Sequence, residues 1–221
     1  MALKPNELGY CGRDSAPAKF RRCIMGGDCE GVSEEVEKFI VLNPYIKTIA
    51  TVTGKDKFSY EVLEAYWFGN DLLDDIDLKH YGILLGNLQK QGVPQFLIDE
   101  IRRKKPSSFV PIHLFNILHV GVGRASGSVP FNLESINNCM VRWGEVLKIE
   151  NEEVLVGLRS LNKKKEVVVE KVKQKHSIDL VGSLRKGDKV LCHWGWVAKK
   201  TNPEEVERIS FWTKKLLESL A

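Results

Sequence analysis

No apolar run in the 221 residues is long enough to span a bilayer, so no transmembrane helix is expected. The opening stretch, Met1 to Glu7, holds no apolar signal core, so the expectation is a cytoplasmic protein rather than a secreted one. Cysteine is scarce: there are five, an odd number at irregular spacing, with no Cys-x-x-Cys pair. That argues against a disulfide framework and against the usual zinc modules, and it fits a reducing cytosol in which single thiols are ligands or core residues. Charge of one sign is lacking too. The net charge is +4, and residues 136–221 hold 17 Lys and Arg against 12 Asp and Glu, while the remainder holds 16 against 17. So small a surplus falls short of the dense basic stripe of a dedicated nucleic-acid binder. The phosphate-cradling Gly-x-x-x-x-Gly-Lys loop, the dinucleotide Gly-x-Gly-x-x-Gly, the hydrolase Gly-x-Ser-x-Gly and the zinc-protease His-Glu-x-x-His are all absent.

What is present divides into a helical part and a strand-rich part. Ser33, followed by Glu34, Glu35 and Glu37, reads as an N-cap with carboxylates in the first turn, where they suit the helix dipole. Ser59 reads as a second cap, with Val62, Leu63 and Tyr66 inward and Gly69-Asn70 as the stop. A weaker helix is expected over 77–91, and Pro94 and Pro111 sit well at the start of two more. Gly121, Gly123, Gly127 and Pro130 read as a linker, which places a domain boundary near Ser135.

Beyond it, the runs 141–149, 154–161 and 167–172 are rich in β-branched residues and separated by turn segments. A weak strand is expected near 178–181, and 189–198 is the last. Four or five short strands in so short a span suggest a small barrel of the OB type. Asn202, Pro203 and Glu205 then open a helix whose apolar stripe (Val206, Ile209, Leu216, Leu220) is expected to pack on the barrel. The fold expected is α+β: a helical domain over 1–135, then an OB-type barrel with a C-terminal helix over 136–221.

Two cysteine and histidine groups are candidates for chemistry. In the strand-rich part, Cys139 is expected at the opening of a strand, and His193 lies in Gly187-Asp188-Lys189-Val190-Leu191-Cys192-His193-Trp194-Gly195. A thiol and an imidazole suit iron, zinc or copper. Cys192, on the opposite strand face, reads as packing. In the helical part, Cys11 lies between glycines, and His113 and His119 would stand about 120° apart on a helix, which is not the chelating i, i+4 spacing. Cys11, His113 and His119 form a possible additional site. Cys23 and Cys29 read as ordinary thiols.

Residues 137–221 resemble the HypC/HupF family of nickel-iron hydrogenase maturation chaperones. The resemblance rests on Cys139-Met140-Val141-Arg142-Trp143-Gly144, on Gly187, Asp188, Val190, Leu191, His193 and Gly195 with Trp196 at an aromatic position, and on the helix from Pro203. It departs from the family in an internal cysteine and in Trp143 where the family has proline. The resemblance implies that Cys139 and His193 hold an iron precursor, Fe(CN)2(CO), transiently. It implies a HypD-like maturation protein or the hydrogenase large-subunit precursor as partner, and a carrier rather than an enzyme. The alternative is a metal- or thiol-dependent enzyme of the same pathway, with Cys11, His113 and His119 closing over the barrel. Nucleic-acid binding through Trp143, Trp194, Trp196 and the Lys163-Lys164-Lys165 run is the weakest reading.

Overall fold

Apolar residues that recur along the strands of residues 142–200 give that stretch one buried face, and a ring of strands is how so short a segment covers it. The computed structural model describes residues 1–12 and 15–220. Its strands are β1 (Arg142–Glu150), β2 (Glu153–Leu161), β3 (Val167–Lys175), β4 (Lys189–His193) and β5 (Trp196–Lys200). They pair in the order β1-β2-β3-β5-β4, and β4 returns to β1. The seam between β3 and β5 is a single parallel bridge, Lys175 to Trp196, so the ring is barely closed there. Inside lie Val146, Val154, Val156, Leu158, Val190, Cys192 and Val197. Gly144 is required where it stands: a Cβ there would collide with the Gly157 carbonyl oxygen across the β1–β2 pair.

Three local expectations are corrected. The run 189–198 is two strands, because Trp194 (φ 50°) and Gly195 (φ 76°) turn the chain in a two-residue hairpin. Residues 178–181 are the short helix Ile178–Val181. Cys139 ends the helix Leu133–Cys139, whose N-cap Asn132 accepts from the Ser135 amide at 2.9 Å, and β1 starts only at Arg142.

The chain folds as two compact units, and each is discontinuous. One combines Met1–Val32 with Asn132–Glu207; the other combines Ser33–Phe131 with the chain from Arg208 onward. This corrects the division at 135: a break near Phe131 is present, but the first 32 residues join the strands and the end of the chain joins the helices. The helix Pro203–Ser219 opens as read, with Asn202 Oδ1 accepting from the Glu205 amide at 2.8 Å. Its later turns belong to the helical unit. There Arg208 pairs with Glu64 at 3.0 Å, and the Trp212 indole lies against Gly69, where a Cβ would overlap the ring.

In the helical unit, Leu42–Thr53, Tyr60–Phe68, Tyr81–Lys90 and Gln95–Arg103 bury Tyr45, Ile46, Ile49, Tyr66, Leu88 and Leu97. Ser59 does cap, accepting from the Val62 amide, whereas Ser33 falls just inside the helix Val32–Glu37. No helix among the described residues is long and apolar enough to cross a membrane.

Candidate metal centre

The helix Leu133–Cys139 and strand β4 bring the two motif residues together. The Trp194 amide donates to the Asn138 carbonyl at 2.8 Å, which fixes the β4–β5 hairpin to the end of that helix. Cys139 Sγ and a ring nitrogen of His193 lie within 4.8 Å of each other. A metal with bonds of about 2.0 Å to nitrogen and 2.3 Å to sulfur would bring such donors to roughly 3.5 Å, so the pair is within reach of one ion. Both are buried, His193 at 2% exposure and Cys139 at 6%.

One further bond sets the imidazole's chemistry. His193 Nδ1 is 3.0 Å from the Met1 carbonyl oxygen, which only accepts, so Nδ1 carries the proton. In the neutral form of such a ring the lone pair is on Nε2. A ring fixed through one N–H to a carbonyl is the usual support of a histidine ligand.

The N-terminal segment covers this corner of its unit. Tyr10 packs on Trp194 with centroids 4.5 Å apart, and Lys4 Nζ stands 3.5 Å over the Trp196 ring. The glycines around Tyr10-Cys11 serve close approach: Gly12 has φ 77°, and a Cβ there would strike Asn6 Oδ1. Burial raises the Cys139 thiol well above its ordinary value, and Cys11 nearby raises it further; the Trp194 indole beside it acts in the opposite sense. Cys11 itself is pushed up to about 11 by burial. Both thiols are therefore protonated near neutrality, and a metal that takes either must displace a proton. Cys11, Cys139 and His193 thus share one unit. Tyr10, Trp194 and the Met1 carbonyl complete the surroundings, and sequence reasoning missed these three; the glycines flanking Tyr10-Cys11 were the only signal.

His113 and His119 lie in the helical unit and serve different tyrosines. His113 Nδ1 is 2.8 Å from the Tyr66 hydroxyl, and His119 Nε2 is 2.6 Å from the Tyr81 hydroxyl, which donates in turn to the Ile101 carbonyl. Their expected 120° projection does not hold, because the chain is π-helical over Asn116–Gly121. Cys192 sits in the barrel core, its thiol pushed up to about 12 by burial. Cys23 and Cys29, read as ordinary thiols, form a disulfide with Cα atoms 4.6 Å apart; a sequence separation of 6 was too short a pattern to announce it. The tryptophans considered for base stacking are engaged within their unit. Trp143 is 4% exposed, Trp194 faces Tyr10 and Trp196 lies under Lys4. The lysine run forms the β2–β3 turn, held by Asn162 accepting from the Lys164 amide at 2.9 Å.

The chain belongs to a family described as a family of unknown function (DUF6390), whose model matches residues 1–221. No curated protein and no solved structure matches it.

Proposed function

We propose that this protein is an accessory protein that binds a transition-metal ion through the Cys139 thiolate and His193 Nε2, and carries it to a partner. The observation behind this reading is the buried thiol–imidazole pair, with the imidazole's other nitrogen committed to the Met1 carbonyl. Two protein ligands leave other coordination positions for small ligands or for donors of the recipient, as a carrier needs. The high thiol pKa favours return of the proton, and so release, once the recipient competes for the ion.

The resemblance of residues 137–221 to HypC-type chaperones suggests the cargo: iron, as the Fe(CN)2(CO) precursor of the nickel-iron hydrogenase centre. The partner in this reading is a HypD-like maturation protein or the hydrogenase large-subunit precursor. The role is that of a carrier, not an enzyme, and the compartment is the reducing cytoplasm. There the Cys23–Cys29 disulfide, with Cys29 exposed, would be open to reduction.

The test is purification of the tagged full chain from an anaerobic native host. Infrared bands of cyanide and carbon monoxide on co-purifying iron, absent from Cys139→Ala and His193→Ala, are the expected result. A preparation without iron, or bands that survive both substitutions, would reject the reading.

A further inference from the structure

Strand β3 is paired along one side only. From Val167 to Lys175 it lies against β2 with no break in register, and its other side meets β5 at Lys175 alone. The bonds at the two ends of the β2–β3 ladder fix which groups face which way. The Asn162 amide donates to the Glu166 carbonyl at 3.0 Å, and the His176 amide donates to the Glu152 carbonyl at 3.0 Å. Bonded pairs alternate along an antiparallel ladder, so Val168, Glu170, Val172 and Gln174 turn their N–H and C=O groups to β2. Those of Val167, Val169, Lys171 and Lys173 point the other way. Lys175 has the same phase, its amide donating away from β2 to the Gly195 carbonyl at 2.9 Å. The Lys173 carbonyl accepts from Gln174 Nε2 at 2.8 Å, but the outward groups of Val167, Val169 and Lys171 meet no partner among the described residues. Val167 is 41% exposed and Val169 64%, so this row faces solvent. Beside Glu170 and Lys173 an open groove separates β3 from the helix Leu133–Cys139. An unpaired row of this kind is a template for one more strand.

Charge selects the strand. Val167, Val169, Lys171, Lys173 and Lys175 share the outer face of β3. Lys171 makes no ion pair among the described residues, and Lys173 is held by Glu150 at 3.0 Å and Glu153 at 3.6 Å. On the other face Glu170 lines the groove together with Glu134. A second copy of β3 does not match this row. Two-fold pairing centred on Glu170 or on Lys171 sets that residue against itself, and pairing centred on Val172 sets Lys171 against Lys173. Pairing centred on Val169 leaves Lys171 facing Val167 and Glu170 facing Val168. Like charges directly opposite each other are destabilising. A foreign strand matches at every position if it sets acids against Lys171 and Lys173, a base against Glu170 and apolar residues against Val167 and Val169.

We propose that the outer edge of β3 docks an extended acidic segment of a partner protein as an added strand. The segment runs antiparallel, the stronger of the two pairings, and exchanges N–H···O bonds with Val167, Val169 and Lys171. None of these residues is a ligand in the metal reading, so the docking edge stands apart from it.

The test uses the full chain and a synthetic peptide, acetyl-Glu-Val-Glu-Lys-Val-Thr-Val-amide. Amide exchange followed by NMR should separate the two rows in the free protein: fast at Val167, Val169 and Lys171, slow at Val168, Glu170 and Val172. The peptide should slow the three outward amides and bind with a Kd of about 1 mM or below. A charge-reversed peptide, acetyl-Lys-Val-Lys-Glu-Val-Thr-Val-amide, should bind about tenfold more weakly or worse. N-methylation of the first peptide at its second Glu and second Val, whose N–H groups would face β3, should abolish binding. N-methylation at its Lys and Thr, whose N–H groups would point away, should not. Val169→Pro removes an outward N–H but no bond to β2, so it should abolish binding while Glu170 and Val172 stay slow to exchange. The N-methylated peptides test the same bonds without altering the protein. Slow exchange at the outward amides before peptide is added would mean that the edge is already covered, by a second copy or by the chain itself, and would overturn the proposal. So would a peptide that fails to saturate by about 5 mM, a charge-reversed peptide that binds as tightly, or binding that survives N-methylation on the β3 side.

Discussion

In the proposed metal site the two ligands differ. The imidazole commits its Nδ1–H to the Met1 carbonyl, which leaves Nε2 as its ligand atom. The thiol must lose a proton, because burial and Cys11 hold it protonated. Uptake of a divalent ion through Cys139 should therefore release one proton, and the logarithm of the affinity should rise by about one for each pH unit between pH 6 and 8. Competition titrations against a chelator of known affinity measure that slope; a flat profile would mean that no thiol binds. His119 sets a separate pH response. Burial lowers it from 6.5 to about 4, so the folded state favours the neutral ring. Its contribution to stability is complete above pH 6.5 and is lost as the pH falls through 4. Glu100 and Glu150, held near 2 by their Lys and Arg partners, give way only later. Urea midpoints should fall between pH 6.5 and 4, and less steeply in His119→Gln. At this scale the sequence was informative about the pair, since Cys139 and His193 stand in ordered motifs. It was silent about the Met1 carbonyl and the Trp194 indole, because a backbone oxygen has no signature and a tryptophan after a strand reads as core.

Elements were legible where local chemistry alone decides them. The β-branched runs gave β1, β2 and β3 nearly to the residue, and Ser59 and Asn202 gave two helix starts, because alternation and caps act over a few residues. The β4–β5 hairpin escaped because Trp194 adopts φ 50°, a conformation its type does not advertise; only Gly195 marked the turn. Gly69 was legible as a helix stop, but its second duty was not. At φ 79° and against the Trp212 ring it admits no Cβ. Gly69→Ala should cost roughly 2 kcal/mol or more, from backbone strain added to overpacking. Chemical denaturation of the two proteins measures the difference, and an unchanged midpoint would mean that the Trp212 contact is not made in solution.

The whole molecule was the least readable scale. An apolar stripe on a helix states that a face is buried, not which partner buries it. So the C-terminal helix was matched to the barrel by proximity in sequence, although from Arg208 onward it joins the helical unit, and the first 32 residues join the strands. A fragment beginning at Ile136 therefore lacks the Met1 carbonyl, Tyr10 and Cys11 from its own unit. It should bind metal at least tenfold more weakly than the full chain, about the cost of losing one supporting contact to a ligand. Equal affinity would show that the N-terminal segment plays no part.

The central claim, that Cys139 and His193 together hold one metal ion, is most directly tested by anaerobic cobalt(II) titration of the full chain. A thiolate-to-cobalt charge-transfer band saturating at one equivalent, abolished by Cys139→Ser and shifted or weakened by His193→Gln but not by His119→Gln, is the predicted result. A band that persists unaltered in Cys139→Ser, or no band at all in the unaltered protein, would contradict it.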